Sequence, residues 1–188
     1  YKYLCIQQSP PLSGITEVYG AKNGTLVIMT ALILTDGISQ LSNVPNSSDT
    51  QMMIQLMISL GAKILYSPKT RIMQVDTRTL NAQTICPTIM NKMRASILAM
   101  GPLLARFGKA TVASPGGCLI GHRPIDYHLE GFRKLGAVIS ETPELIEGTL
   151  QNPIQKEKKI VLEYPSVGAT ENIIMTATLL PDKTTIIN

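Results

Sequence analysis

Tryptophan is absent from the 188 residues, and aromatic residues make up only 4% of them. Single-stranded nucleic-acid binders stack bases on such rings, so nucleic acid is not an expected partner. Cysteine is scarce as well. Cys5, Cys86 and Cys118 are an odd number set far apart, unlike the dense even sets that staple small secreted domains, and reduced thiols are expected. No uncharged apolar run approaches the ~18 residues of a membrane span. The start, Tyr1-Lys2-Tyr3-Leu4-Cys5, has no basic flank leading into a long apolar stretch. A soluble, cytoplasmic protein with no membrane partner is the expectation. Charged residues are only 16% while hydrophobic ones reach 44%, which excludes wholesale disorder. The length suits one large or two small domains at ~150 residues each.

What charge there is sits unevenly. Residues 81–135 hold Lys92, Arg94, Arg106, Lys109, Arg123, Arg133 and Lys134 against Asp126 and Glu130. This excess of five is larger than the +4 of the whole chain, a pattern that suits a local anionic site better than an extended basic stripe.

An internal repeat is visible. Ser48-Asp49-Thr50 opens a stretch with Met53, Leu56, Met57 and Leu60 at helical spacing, closed by Gly61 before the strand-like Ala62-Lys63-Ile64-Leu65-Tyr66. Farther on, residues 124–134 read as a helix with proline at its first position, followed by Leu135-Gly136-Ala137-Val138-Ile139. An earlier helix precedes each, over 23–34 and over 88–107, the latter with Met93, Ile97, Met100 and Leu104 on one stripe. Residues 38–44 and 109–114 have strand composition. A third copy begins where Ser166 caps a helix predicted to run to Leu180, followed by a strand over 184–187. The 66–71 turn and the 151–159 stretch, with Lys156, Glu157, Lys158 and Lys159, read as solvated connections. The methionines fall mostly on helix stripes and are assigned to the core.

Few residues invite chemistry. Pro115-Gly116-Gly117-Cys118 sets a thiol after two permissive residues in the basic segment, five residues before Arg123, where nearby cations favour the thiolate. Cys5 and Cys86 lack such surroundings and read as buried structural thiols. Cys118, His122 and His128 are too few for a supported zinc site, and no metal or other cofactor is expected. The glycine-rich phosphate loops of the common nucleotide folds are missing. Ser166-Val167-Gly168 at a helix start offers a hydroxyl and backbone N–H groups to an anion, or is an ordinary cap. Gly20-Ala21-Lys22-Asn23 brings an ammonium and a carboxamide to another helix start, with glycine permitting close approach.

Seven segments then fall into one order: Gly20-Ala21-Lys22-Asn23, Arg94-Ala95-Ser96-Ile97, Gly101-Pro102-Leu103, Ala105-Arg106-Phe107-Gly108, Pro115-Gly116-Gly117-Cys118, Arg123-Pro124-Ile125-Asp126 and Ser166-Val167-Gly168-Ala169-Thr170-Glu171-Asn172. In this order they resemble the enolpyruvyl transferases, from about Leu12 to Asn188. The Gly-Gly-Cys loop resembles the branch that acts on UDP-N-acetylglucosamine more than its shikimate-pathway relatives. The resemblance implies an α/β fold, an inside-out α/β barrel domain of repeated βαβαββ-like units with helices at the centre, the third unit incomplete. It implies that residues 1–19 form a strand segment that joins the other domain, and that 20–188 form an incomplete N-terminal domain.

It also implies transfer of enolpyruvyl from phosphoenolpyruvate to the 3′-hydroxyl of UDP-N-acetylglucosamine, with phosphate release, in peptidoglycan synthesis. Lys22 and Arg123 are expected to hold phosphoenolpyruvate and Cys118 to act as general acid and adding thiol. Asn23 and Arg94 are expected to contact the nucleotide sugar, Pro124, Ile125 and Asp126 to line the uracil pocket, and Ser166, Val167 and Gly168 to meet the diphosphate. Fosfomycin would alkylate Cys118. The resemblance covers about half of a family enzyme, so a C-terminal domain is the implied partner and turnover by this piece alone is not expected. A stand-alone half that binds a UDP-sugar or a partner without turnover is the other reading. Tyr19, Gly24 and His122 depart from the usual residues and are expected to crowd or loosen the site.

Overall fold

Two copies of one glycine-terminated helix set the pattern of the molecule. The computed structural model describes residues 3–85, 94–114, 125–151, 157–181 and 183–187. In the first copy α2 (Ser48–Ser59) is capped by Ser47, whose hydroxyl accepts from Thr50 N, and buries Met53, Leu56, Met57 and Leu60. It ends at Gly61, with φ +104°. Gly61 N donates to Ile58 O and Ala62 N to Met57 O, the paired bonds that close a helix at a left-handed glycine. In the second copy α4 (Asp126–Leu135) ends at Gly136 with φ 101°. The two Leu-Gly-Ala triplets are therefore the same turn.

Each copy then makes the same antiparallel sheet. β1 (Ile38–Leu41), β2 (Lys63–Ser67) and β3 (Ile72–Asp76) run in the order β1-β3-β2, and β4 (Lys109–Ala113), β5 (Ala137–Glu141) and β6 (Leu145–Leu150) in the order β4-β6-β5. The first helices of the copies are α1 (Lys22–Ala31) and α3 (Met100–Phe107). Before α3 the chain makes a parallel bridge from Thr84 to Thr111 of β4. The third copy repeats that step in full: β7 (Lys158–Val161) leads through α5 (Val167–Ala177) to β8 (Thr184–Ile187), and the two strands are parallel.

Helices occupy the interior. All of Met100, Gly101, Pro102, Leu103 and Leu104 in α3 are buried, and α5 buries Ala169, Asn172, Ile173, Met175 and Thr176. β3 keeps one face outward, as the alternation at Met73 and Val75 shows, whereas β4 is buried on both faces from Ala110 to Ala113. Close packing of the helices depends on two glycines. A Cβ at Gly101 would lie 2.2 Å from Asn172 Oδ1, and one at Gly131 would lie 2.4 Å from Ile173 Cδ1, so α3 and α4 approach α5 only because those side chains are missing. The arrangement is the expected mixed α/β with central helices; among the described residues the sheets do not close into a barrel.

Some expectations are corrected. The helix predicted over 88–107 is, within the described residues, a 3-10 turn over Arg94–Ala99 followed by α3 from Met100. Pro102 is the reason: an α-helix running through it would lose a bond to residue 98 and crowd that carbonyl, whereas in a first turn proline gives up no needed donor. The strand predicted over 38–44 stops at Leu41, and the chain passes through Asn43 with φ 56° before Val44 N bonds Arg71 O. The last helix ends at Ala177 and not at Leu180. Lys158 and Lys159, read as part of a solvated connection, lie in β7. Only Ile160 of that strand is buried, so it carries no alternation to betray it, and the Lys158 ammonium donates to Leu135 O at 2.7 Å, at the end of α4.

Residues 3–19 form neither helix nor strand and are exposed. Cys5 is therefore an exposed thiol, not the buried structural one expected. The segment meets the body at Arg71, which donates to Glu17 at 2.8 Å and stacks over the Tyr19 ring at 4.8 Å.

Candidate functional site

The first and second helices of the first copy begin side by side. Lys22 is the first residue of α1, a position where the unpaired N–H groups of the helix make a cation unfavourable. It is held there by Asp49 in the first turn of α2, with Nζ 2.6 Å from Oδ2. The pair is half open to solvent, 50% exposed at Lys22 and 34% at Asp49, so an arriving anion can take over the ammonium. Asn23 follows, exposed. Gly20 has a different use from the one expected of it: a Cβ there would stand 2.1 Å from Asn43 O, so its close approach is to the backbone of the chain itself.

In the other copies α4 and α5 begin together. Ile125 is the residue before α4 and is buried in the main core, while Asp126, the first helical residue, is exposed. Ser166 caps α5, its hydroxyl accepting from Ala169 N at 3.4 Å. Val167 is 74% exposed and Gly168 half-buried. Gly168 faces the ring of His128: a Cβ there would lie 3.6 Å from Cε1 and 3.7 Å from Nε2. Burial pushes the carboxyl of Glu171, one turn further along α5, above the usual carboxylate range. Arg94 opens the 3-10 turn, against which both α1 and α5 pack. Cys86, Cys118, His122, Arg123 and Pro124 lie outside the described residues.

Most of the described cations in the basic segment do not serve an anionic site. Arg106 Nη1 donates to Ile33 O, Thr35 O and Thr77 O at 3.1, 2.6 and 3.2 Å, and Nη2 to Asp36 at 3.2 Å. Arg133 pairs with Glu141, and Lys134 with Glu130 at 2.6 Å. Their clustering in sequence reflects helix ends and strand contacts. Two of the departures fall on described residues. Tyr19 turns onto Arg71, and Gly24 has only Ala21 Cβ, at 3.9 Å, near where its own Cβ would be.

Asp49, His128 and Asn172 are the functional candidates that reading the sequence missed. Asp49 looked like a helix opener and His128 like a weak zinc ligand. Nothing local to either announces a partner 27 or 44 residues away.

Central helices, sheets outside and helix starts gathered in pairs define an enolpyruvyl transferase fold. The architecture matches the enolpyruvyl transferase NikO from Streptomyces tendae with a TM-score of 0.71 at 18% identity, over 89% of this chain and 38% of that one. It matches the EPSP synthase from Acinetobacter baumannii with a TM-score of 0.64, also at 18% identity, over 87% and 38%. The family model for EPSP synthase (3-phosphoshikimate 1-carboxyvinyltransferase) matches residues 6–188, and the chain belongs to that family. Among its relatives, UDP-N-acetylglucosamine 1-carboxyvinyltransferase 2 of Staphylococcus saprophyticus is 45% identical over 179 residues, 94% of this chain and 42% of the relative. The UDP-N-acetylglucosamine 1-carboxyvinyltransferase of Finegoldia magna is 40% identical over 183 residues, 97% of this chain and 43% of the relative. The chain thus spans less than half the length of these curated relatives.

Proposed function

We propose that the chain is the N-terminal part of a cytoplasmic enzyme of peptidoglycan synthesis. It moves the enolpyruvyl group of phosphoenolpyruvate onto the 3′-hydroxyl of UDP-N-acetylglucosamine and releases phosphate. The observation that carries this reading is the 45% identity, over 94% of the chain, to a relative that bears that activity in its name. The half-open Lys22–Asp49 pair supports it, because it is an ammonium ready to exchange one anionic partner for another at little cost.

In this reading Lys22 and Arg123 hold the phosphate and carboxylate of phosphoenolpyruvate and stabilise charge as the tetrahedral intermediate forms. The acceptor hydroxyl gives up its proton to the aspartate of the second domain as its oxygen bonds to the central carbon, while Cys118 delivers a proton to the methylene, which becomes a methyl group. Loss of a methyl proton and of phosphate then leaves the enolpyruvyl ether. The Cys118 thiol also adds to the enolpyruvyl carbon, and it is the atom that fosfomycin alkylates. Asn23 and Arg94 contact the nucleotide sugar, with Pro124, Ile125 and Asp126 at the uracil. The buried Ile125 side chain leaves its backbone for that contact. Ser166, Val167 and Gly168 meet the diphosphate through the unpaired N–H groups of α5. Residues 1–19 cross to a second, C-terminal domain that supplies the opposite wall, the remaining basic residues and an aspartate.

Phosphate release by the full-length protein tests the reading. It is expected with phosphoenolpyruvate plus UDP-N-acetylglucosamine and not with shikimate 3-phosphate, and the opposite preference overturns it. The Lys22→Ala variant should lose ~100-fold or more in kcat/KM. Residues 1–188 alone should show no turnover, and a rate near the ~10 s⁻¹ of an ordinary enzyme would remove the need for a second wall.

A further inference from the structure

The starts of α3 and α4 are tied to the middle of α5 by one buried carboxamide. Asn172 in α5 is wholly buried, and His128 in the first turn of α4 is 7% exposed. Asn172 Oδ1 accepts from Gly101 N at 3.1 Å, one of the α3 donors that has no partner within its own helix. Its Nδ2 donates to Ile97 O at 3.0 Å and lies 3.0 Å from His128 Nδ1. The two backbone partners decide which way the amide faces, because a main-chain N–H only donates and a carbonyl only accepts. The atom facing His128 is then the amide nitrogen, with one hydrogen for Ile97 O and one for the imidazole. Nδ1 must accept it and carries no proton, so the neutral ring holds its proton on Nε2. That edge of the ring lies against the first turn of α5, 3.7 Å from the position of a Gly168 Cβ.

We infer that Asn172 is a positioning residue that holds His128 as the Nε2–H tautomer and so sets a neutral hydrogen-bond donor beside Ser166, Val167 and Gly168 for a phosphate oxygen of the nucleotide sugar. The inference rests on the acceptor proposed above. It puts the first turn of α5 within ordinary van der Waals reach of the imidazole, where a Gly168 Cβ would lie 3.6 Å from Cε1 and 3.7 Å from Nε2. It also explains the glycine at 101, where a Cβ would meet Asn172 Oδ1 at 2.2 Å. A neutral donor suits this place because it binds a phosphate oxygen without burying a charge when the site is empty.

Two measurements on the full-length protein test it. Long-range proton–nitrogen spectra of histidine-labelled protein should show His128 Nδ1 as an unprotonated, pyridine-like nitrogen and Nε2 as a protonated, pyrrole-like one. Asn172→Asp, whose carboxylate accepts but cannot donate, should move a proton onto Nδ1. A wild-type Nδ1–H tautomer overturns the inference. Because Asn172→Asp removes a buried bond and risks misfolding, His128→Gln and His128→Asn supply the second test. The glutamine nitrogen reaches the Nε2 position and can donate there, whereas asparagine is too short for it and can only set its Oδ1 at the Nδ1 position to accept from Asn172. Titration with UDP-N-acetylglucosamine should find the glutamine variant within ~3-fold of wild type and the asparagine variant ~10-fold weaker, even though the glutamine variant loses the Nδ1 acceptor of Asn172 and melts lower. Equal affinity of the two variants overturns the donor role. Failure of the wild type itself to bind, with the tautomer as expected, overturns the proposed acceptor and with it the ligand named here.

Discussion

Arg106 allows the sharpest test of how the copies are joined. Its guanidinium is only 16% exposed and reaches from the end of α3 to three carbonyls of the first copy, those of Ile33, Thr35 and Thr77. Nη1 has two hydrogens for these three acceptors, so about two full bonds are made at any moment. At ~1.5–3 kcal/mol for a bond to a charged group, and with the desolvation of the guanidinium set against it, Arg106→Met should destabilise by about 2–4 kcal/mol. For a chain of this size that corresponds to a fall in Tm of roughly 5–15 °C. Asp36 shares the guanidinium but is 78% exposed, so Asp36→Asn should cost less than ~0.5 kcal/mol. Arg106→Lys, with one compact ammonium in place of a fork, should fall between the two. Urea denaturation of the four proteins provides the comparison. If Arg106→Met costs under ~1 kcal/mol, or no more than Asp36→Asn, the carbonyl cluster does not hold the copies together and the reasoning fails.

Three further predictions concern single residues. The carboxyl of Asp76 is held down to about 2, first by its side-chain bond to Arg78 and then by the Arg78 backbone N–H. A group depressed in the fold contributes stability that is whole above the unfolded range of ~4 and is lost as pH falls toward 2, so the gap in urea midpoint between wild type and Asp76→Asn should narrow from pH 5 to pH 2.5; a constant gap contradicts the assignment. Gly131→Ala places a Cβ 2.4 Å from Ile173 and should cost ~1–3 kcal/mol despite the better helix propensity of alanine. Ile173→Ala in the same chain should recover ~1 kcal/mol or more of the summed loss, whereas strict additivity in the double-mutant cycle would place the clash elsewhere. Cys118, if activated as proposed, should be alkylated by limiting iodoacetamide faster than Cys5 even though Cys5 is exposed; peptide mapping that finds Cys5 ahead removes the activated-thiol role.

The architecture was legible because it is repeated and because its punctuation is local. Leu60-Gly61-Ala62 and Leu135-Gly136-Ala137 announced two identical helix ends, and the structure gives both glycines nearly the same positive φ, 104° and 101°. A cap, a stripe of methionine and leucine and a left-handed glycine all act within one or two turns, so sequence order suffices to read them. What escaped was long-range or one-sided. β7 buries a single residue, Arg106 serves carbonyls 29 to 73 positions away, and Lys22 finds Asp49 27 positions on. The basic segment misled for a related reason: charge counted along the chain does not tell whether a guanidinium faces a ligand or the end of a neighbouring strand.

The repeat also suggests why the site forms where it does. Within a copy, the first and second helices both begin at the same stage of the chain path, and in the first copy the α1 and α2 starts touch through Lys22 and Asp49. In the second copy the corresponding starts, of α3 and α4, are joined through Asn172 of the third. Packing the copies with helices inward thus gathers helix starts, whose unpaired N–H groups share one electrostatic character. The backbone of every copy offers the same weak attraction for anions, and the side chains then differentiate the copies. The first places a cation and its carboxylate partner there, the second a neutral imidazole and the third a capping hydroxyl. A duplicated fold of this kind needs no new architecture to hold a substrate with two anionic centres. It needs only a different residue at equivalent helix starts, and for that reason exchanging the half-exposed Lys22 should alter binding while the melting temperature stays near that of the wild type.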